Sequence, residues 1–170
     1  MKKKDIERLS AENLIDMIGK EWMLVTAGTP EHFNTMTASW GGIGWLWNRP
    51  VAFVFVRPER YTYEFIENQE QLTLSFLGKE NQEIHAICGK QSGRDCDKIK
   101  ETGLVPVTTD LGNVTFEQAR LTLEGRKLFC TDMKPEMFID KSLVERWYGN
   151  HPGGSFHRIY VMEIEAVYEK

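Results

Sequence analysis

Short strand-like hydrophobic segments recur along this chain, and no long helix separates them. The clearest is Val51-Ala52-Phe53-Val54-Phe55-Val56, which is continuous, largely β-branched or aromatic, and stopped by Arg57-Pro58. Residues 22–27 read as a second buried strand, punctuated by Gly28-Thr29-Pro30. Residues 34–40 and 71–76 alternate as half-buried strands do. Residues 119–130 alternate around Gly125, which predicts a long strand with a bend or bulge. Residues 157–168 form another long alternation, with Tyr160, Met162, Ile164, Ala166 and Tyr168 on one face. Pro106 places residues 104–107 at a sheet edge or strand end.

The predicted helices are short. One covers about residues 10–20, with Ser10 as its cap, and one covers 62–67, capped by Thr62. Others cover 81–88, 95–101 and 141–148. Strands that do not alternate with long helices argue against a doubly wound parallel sheet. The expected class is mainly β with peripheral helices, a barrel in preference to a sandwich. The 170 residues carry no repeat and no linker, so one domain is expected.

Charge and cysteine usage narrow the function. There are 21 basic and 25 acidic residues, a net charge of -4, so a nucleic-acid footprint is absent. No apolar stretch reaches the ~18 residues a membrane span needs. Met1-Lys2-Lys3-Lys4-Asp5 is basic, but charged residues follow it, so no export signal is expected. Cys88, Cys96 and Cys130 are odd in number and widely spaced, which fits a reducing, cytoplasmic setting and no thiolate metal site.

Three segments carry candidate chemistry. In Asn34-Thr35-Met36-Thr37-Ala38-Ser39-Trp40 a strand points the hydroxyls of Thr35, Thr37 and Ser39 to one face. Such a line suits an anion or a polar heterocycle, although threonine is also simply a good strand former. Arg57-Pro58-Glu59-Arg60-Tyr61-Thr62 puts two guanidiniums and a hydroxyl before a helix start, the set a phosphate monoester needs. Its plainer reading is a solvated loop with arginines paired to Glu59 or Glu64. Lys90, Ser92 and Lys98 lie in a Gly-rich loop, Gly89 to Lys98, without the order of a P-loop. Gly42-Ile43-Gly44 lacks the later glycine of a dinucleotide fingerprint. His32, His85, His151 and His157 show no metal spacing and read mostly as surface groups, with His157 the candidate proton donor or ligand contact. Cys88 reads as packing. Trp40, Trp45 and Trp47 crowd into eight positions.

Taken in order, Asn34-x-Met36-Thr37-x-Ser39-Trp40, Arg57-Pro58-x-Arg60-Tyr61-Thr62, Ser92-Gly93-Arg94-Asp95-x-Asp97-Lys98 and His157-x-x-Tyr160-Val161-x-Glu163-Ile164 resemble the flavin reductase-like family, its flavoredoxin-type members most closely. The resemblance spans about residues 20–168. It implies a split β-barrel over 21–170, preceded by an N-terminal helical arm over 1–20. It implies non-covalent FMN, a homodimer with the flavin near the interface, and NADH or NADPH as a possible co-substrate, with electrons passing to a small-molecule or protein acceptor. Carried over by residue, Asn34, Thr35, Met36, Thr37, Ala38 and Ser39 would line the flavin ring and Trp40 would wall the pocket. Arg57, Arg60, Tyr61 and Thr62 would serve the phosphate end, extended by Lys90, Ser92 and Lys98. No metal is implied, and no catalytic side chain is assigned beyond His157. An FMN-binding carrier or sensor without nicotinamide turnover is the alternative, and a barrel that has lost FMN is a third reading. Two departures from the family pattern are Met162, where relatives often have glycine, and the longer N-terminal segment.

Overall fold

The computed structural model describes residues 1–149 and 154–170. In chain order the strands and helices are β1 (Lys2–Lys4), α1 (Leu14–Asp16), β2 (Met23–Thr29), β3 (His32–Ala38), β4 (Gly41–Leu46) and β5 (Arg49–Val56). There follow α2 (Tyr61–Asn68), β6 (Gln71–Phe76), α3 (Gln82–Lys90), α4 (Lys98–Thr102), β7 (Pro106–Thr108) and β8 (Val114–Phe116). The chain ends with β9 (Leu121–Asp132), α5 (Ser142–Tyr148) and β10 (Arg158–Glu169). Among the described residues no helix is long and apolar enough to cross a membrane.

The main sheet runs β3-β2-β6-β9-β10-β5-β4, with β1 on the far end of β10 and every pairing antiparallel. Its two end strands, β3 and β4, are joined by only Ser39 and Trp40. Three Cα steps of about 3.8 Å reach at most about 11 Å, so the sheet must roll until its ends meet. They meet without a shared ladder of hydrogen bonds. The result is the split barrel, and Ser39-Trp40 lies at the split.

The core fills the rolled sheet. Tyr160, Met162 and Ile164 of β10 are buried against Val54, Leu74 and Leu123 of neighbouring strands. Met162 fills this interior, where burying its side chain stabilises by roughly 1.5–3 kcal/mol. A second cluster of Leu24, Leu77, Cys88, Leu104 and Phe116 lies on the other face of β2. With both faces covered, β2 reads as a continuous apolar run. The β9–β10 register shifts between Ile164 and Ala166, opposite Gly125, where the alternation predicted a bend.

The predicted helix over 10–20 is broken in two. A 3-10 turn (Ile6–Ala11) is capped by Asp5, whose carboxylate accepts from the Glu7 amide. Asn13 then caps α1, accepting from the Asp16 amide, and a π-type turn (Met17–Glu21) follows. Ser10 lies within the first turn because the chain restarts at Asn13, an equally good cap. Glu12, inside the predicted helix, is instead extended and pairs with Arg8 and Arg120, each at 3.0 Å. Arg120 also grips Glu21 at 2.7 Å, and Arg8 grips Glu169 at 2.6 Å. With Leu9, Met17 and Ile18 in the main core, these pairs fasten the N-terminal segment to the barrel.

Three strands were not legible. β1 falls in the basic run Lys2–Lys4, inside the expected helical arm, and pairs with the end of β10. β4 hides behind Gly41, Gly42 and Gly44, and it pairs with β5 through a two-residue turn, Trp47-Asn48, at φ 50° and 57°. Those angles match the type I′ turn that suits tight hairpins. β8 is three residues long and pairs only with β7.

Candidate functional site

The split opens into a cavity of about 560 Å³. Met36, Thr37, Ala38, Ser39 and Trp40 form one side, and Phe55, Arg57, Glu59 and Arg60 another. Arg146, Trp147 and His157 close it from the C-terminal part of the chain. β3 pairs with β2 on one edge only, so the backbone groups of its other edge face the split. A neighbouring cavity of about 460 Å³ takes in Asn34, Thr35, Tyr61 and Lys98 together with Gly93 to Asp97. Thr62, Lys90 and Ser92 line neither.

The hydroxyls expected on the ligand face are used inside the protein. Thr35 Oγ1 lies 2.9 Å from Thr26 Oγ1 in the neighbouring strand, and both are buried. Thr37 Oγ1 donates to the His85 carbonyl oxygen at 2.8 Å. Periodicity put these groups on one face, and that face lies under α3. What β3 offers the split is therefore its backbone, with the Ser39 hydroxyl from the link that follows it.

Thr62 is not the cap of α2. It is fully buried, and its Oγ1 accepts from Asn34 Nδ2 at 2.8 Å. Arg60 occupies the cap position, and no side chain caps the first-turn amides. Those amides carry the positive end of the helix.

The cations are held by carbonyl oxygens. Arg60 donates to Gly89 O at 2.8 Å and Cys88 O at 3.0 Å. Lys98, 5% exposed, donates to Thr35 O at 2.8 Å and Cys88 O at 3.2 Å. Both thus close the C-terminal end of α3, whose last carbonyls lack helical partners. Burial holds both groups below their usual pKa values, and the neighbouring Arg60 charge adds to the effect at Lys98. Arg57 donates to Trp147 O at 2.8 Å and Ser155 O at 3.3 Å, and lies 4.9 Å above the Tyr148 ring. Ser155 in turn donates to Glu59. Arg57 and Glu59 thereby draw the chain on either side of the α5–β10 connection to the cavity rim.

Trp40 stands in the split, its ring 5.2 Å from Trp147 and 5.1 Å from His157. His157 is buried, with Nδ1 2.8 Å from the Tyr148 hydroxyl. The loop from Ser92 to Asp97 is tight: Ser92 O accepts from the amides of Asp95 and Cys96, and Asp97 caps α4. Gly93 is needed there, since a Cβ would strike Asn34 Oδ1 and press on Tyr61. Met162, the departure at the usual glycine, faces the core and lines neither cavity.

The histidine reading needs correction at His85, which is 1% exposed beneath β3. Burial lowers its pKa to about 4, and its Nε2 has no hydrogen-bond partner among the described residues. His32 is exposed, and His151 lies outside the described residues. Cys88 packs as expected: it is fully buried and burial pushes its thiol up to about 11. His85 makes a prediction. Its folded pKa is below the unfolded value near 6.5, so the unfolded chain takes the proton first as pH falls. Stability is unaffected above about pH 6.5 and drops by about 3 kcal/mol by pH 4. In urea melts, His85→Gln should lose that part of the acid slope; an unchanged slope would contradict the buried, neutral imidazole.

Residues 17–170 match the flavin reductase like domain. The chain belongs to the flavin reductase-like family. Solved structures share the fold of this family member. The flavoredoxin of Desulfovibrio vulgaris (Miyazaki F) is 22% identical, with 100% of this chain and 77% of that one covered at a TM-score of 0.67. An FMN-binding protein from Thermus thermophilus with bound 1-cyclohex-2-enone is 21% identical, covering 87% and 69% at 0.66. An NADH:FAD oxidoreductase of Streptomyces globisporus C-1027, in complex with NAD and FAD fragments, is 13% identical, covering 89% and 75% at 0.65. No curated protein matches the chain. In this family frame, Phe55, Glu59, Arg146 and Trp147 are the lining residues that sequence reasoning missed. Only the two next to the Arg57 motif carried a local signal.

Proposed function

We propose that the split binds FMN and that the protein is an oxidoreductase using NADH or NADPH to reduce it, passing electrons to a small-molecule or protein acceptor. The observation carrying this reading is one cavity in which an edge strand's backbone faces three arginines, Arg57, Arg60 and Arg146, against a single carboxylate, Glu59. The donor set fits the group. Backbone donors and acceptors of residues 36–39 suit the heteroatom edge of a flavin ring, and the aromatic faces of Trp40, Trp147 and Phe55 suit its plane. Arg57, Arg60 and the uncapped amides of α2 suit the phosphate, with Asn34, Tyr61 and Lys98 in the adjoining cavity. Thr62 supports this end from behind by accepting from Asn34, whereas Lys90 and Ser92, expected to extend it, line neither cavity. When bound, the flavin supplies the hydride and electron chemistry.

The chain's own residues then orient and shield. Trp40 excludes water from one side of the ring site, and Trp147 and His157 hold Trp40 in place. His157 is the candidate proton carrier in the lining, with Tyr148 fixing its ring. The three free cysteines suit a reducing, cytoplasmic compartment.

Mixing the FMN-loaded protein anaerobically with NADH and with NADPH tests turnover. Loss of the oxidised-flavin absorbance within seconds to minutes is expected; its persistence with both nucleotides would leave a carrier. We also propose a homodimer. Trp45 is 68% exposed and Trp47 56%, with Phe129 against Trp47 at 6.1 Å, an aromatic surface suited to a second copy. Sedimentation equilibrium should give twice the chain mass, and a single-chain mass at micromolar concentration would contradict it.

A further inference from the structure

A third cavity, of about 700 Å³, is also lined by Trp40. It shares Ser39, Trp40, Phe55 and Trp147 with the split pocket. Among the described residues no charged side chain lines it, whereas three arginines and a glutamate line its neighbour. Its polar side chains are Ser39 and Tyr148, and the Tyr148 hydroxyl is already bonded to His157. One wall is Leu14, Ile15, Ile18 and Gly19, from the N-terminal segment. Leu14 and Ile15 lie before residue 17, where the match to the family domain begins.

We propose that this cavity binds an uncharged, ring-sized hydrophobic small molecule, and that residues 14–19 form the wall that selects it. The volume falls within the range of small-ligand sites, about 300–1,000 Å³. Desolvating a charge against apolar walls without a partner is costly, so the lining itself rejects anions such as a phosphate or a carboxylate. A large cavity that shares Ser39, Trp40, Phe55 and Trp147 with the proposed flavin pocket has the position of a second-substrate site. That this ligand is the electron acceptor rests on the flavin reading above; that it binds does not. For a quinone, an acceptor of this class, reduced nicotinamide gives up a hydride, and the quinone gains two electrons and two protons, one of them from solvent.

The test uses the full chain and two probes, 2-methyl-1,4-naphthoquinone and its 3-sulfonate, followed by quenching of tryptophan fluorescence. FMN binding is titrated separately in the same preparations. Ile15→Asp places a charge on a residue that is 81% exposed. Gly19→Leu adds bulk where a Cβ meets no atom within 4 Å. The neutral quinone is expected to bind at least tenfold more tightly than the sulfonate. Each variant should weaken it tenfold or more while FMN affinity stays within twofold. Equal affinity for both probes, or quinone binding untouched by both folded variants, would overturn the proposal. Displacement of the quinone by FMN would also overturn it, by placing the quinone in the split. So would a dimer in sedimentation that Ile15→Asp dissociates, since the cavity would then be covered by a second copy.

Discussion

Gly125→Ala should destabilise the fold by about 3 kcal/mol or more, a large share of the roughly 5–15 kcal/mol that holds a domain together. Gly125 sits in β9 opposite Ile164, where the β9–β10 register slips by one residue. A Cβ there would overlap the Glu163 carbonyl oxygen and come within 3.2 Å of Met162 Cγ. The first contact is with backbone, so no rotamer change relieves it. Relief requires moving β10, which carries Tyr160, Met162 and Ile164 into the core and also pairs with β5 and β1. Urea melts of parent and variant measure the loss. A difference below ~0.5 kcal/mol would mean that the bulge is soft and that the two long strands do not fix one another.

That bend was legible because it has a local cause, a glycine interrupting an alternating strand. The same holds for β5, β6 and β10, whose residues alternate or run apolar against one continuous core. What was not legible depends on contacts distant in sequence. Thr62 has the chemistry of a cap, but Asn34, 28 positions earlier, binds its hydroxyl. Thr35 and Thr37 share a face by periodicity, and nothing local says that α3 covers that face. Arg60 and Lys98 were expected to meet a phosphate. In the fold they converge on the Cys88 carbonyl, which no spacing rule reveals. β4 escaped because three glycines carry no side-chain pattern, although the short link that follows from it is what rolls the sheet and creates the split.

Arg60→Ala should weaken FMN binding by about 1.5–3 kcal/mol, the range for a charge-assisted hydrogen bond. Arg60 is the residue that joins the split pocket, the start of α2 and the end of α3. Its two donors also satisfy Cys88 O and Gly89 O, so some loss of fold stability accompanies the loss of affinity. Arg49→Ala separates the two effects. Arg49 also ends in a guanidinium, but it is exposed, pairs with Glu163 and lines neither of the two proposed FMN cavities. Flavin fluorescence titrations should show FMN affinity reduced in the first variant and unchanged in the second. Equal affinities in both would move the phosphate away from Arg60, towards Lys98 and the loop around Gly93.

Titrating the purified chain, freed of any bound flavin, with FMN and with riboflavin tests most directly whether the split holds the flavin phosphate. One FMN per chain should bind with quenching of its fluorescence, and riboflavin, lacking the phosphate, should bind at least tenfold more weakly. No saturable FMN binding, or equal affinity for the two flavins, would contradict the account.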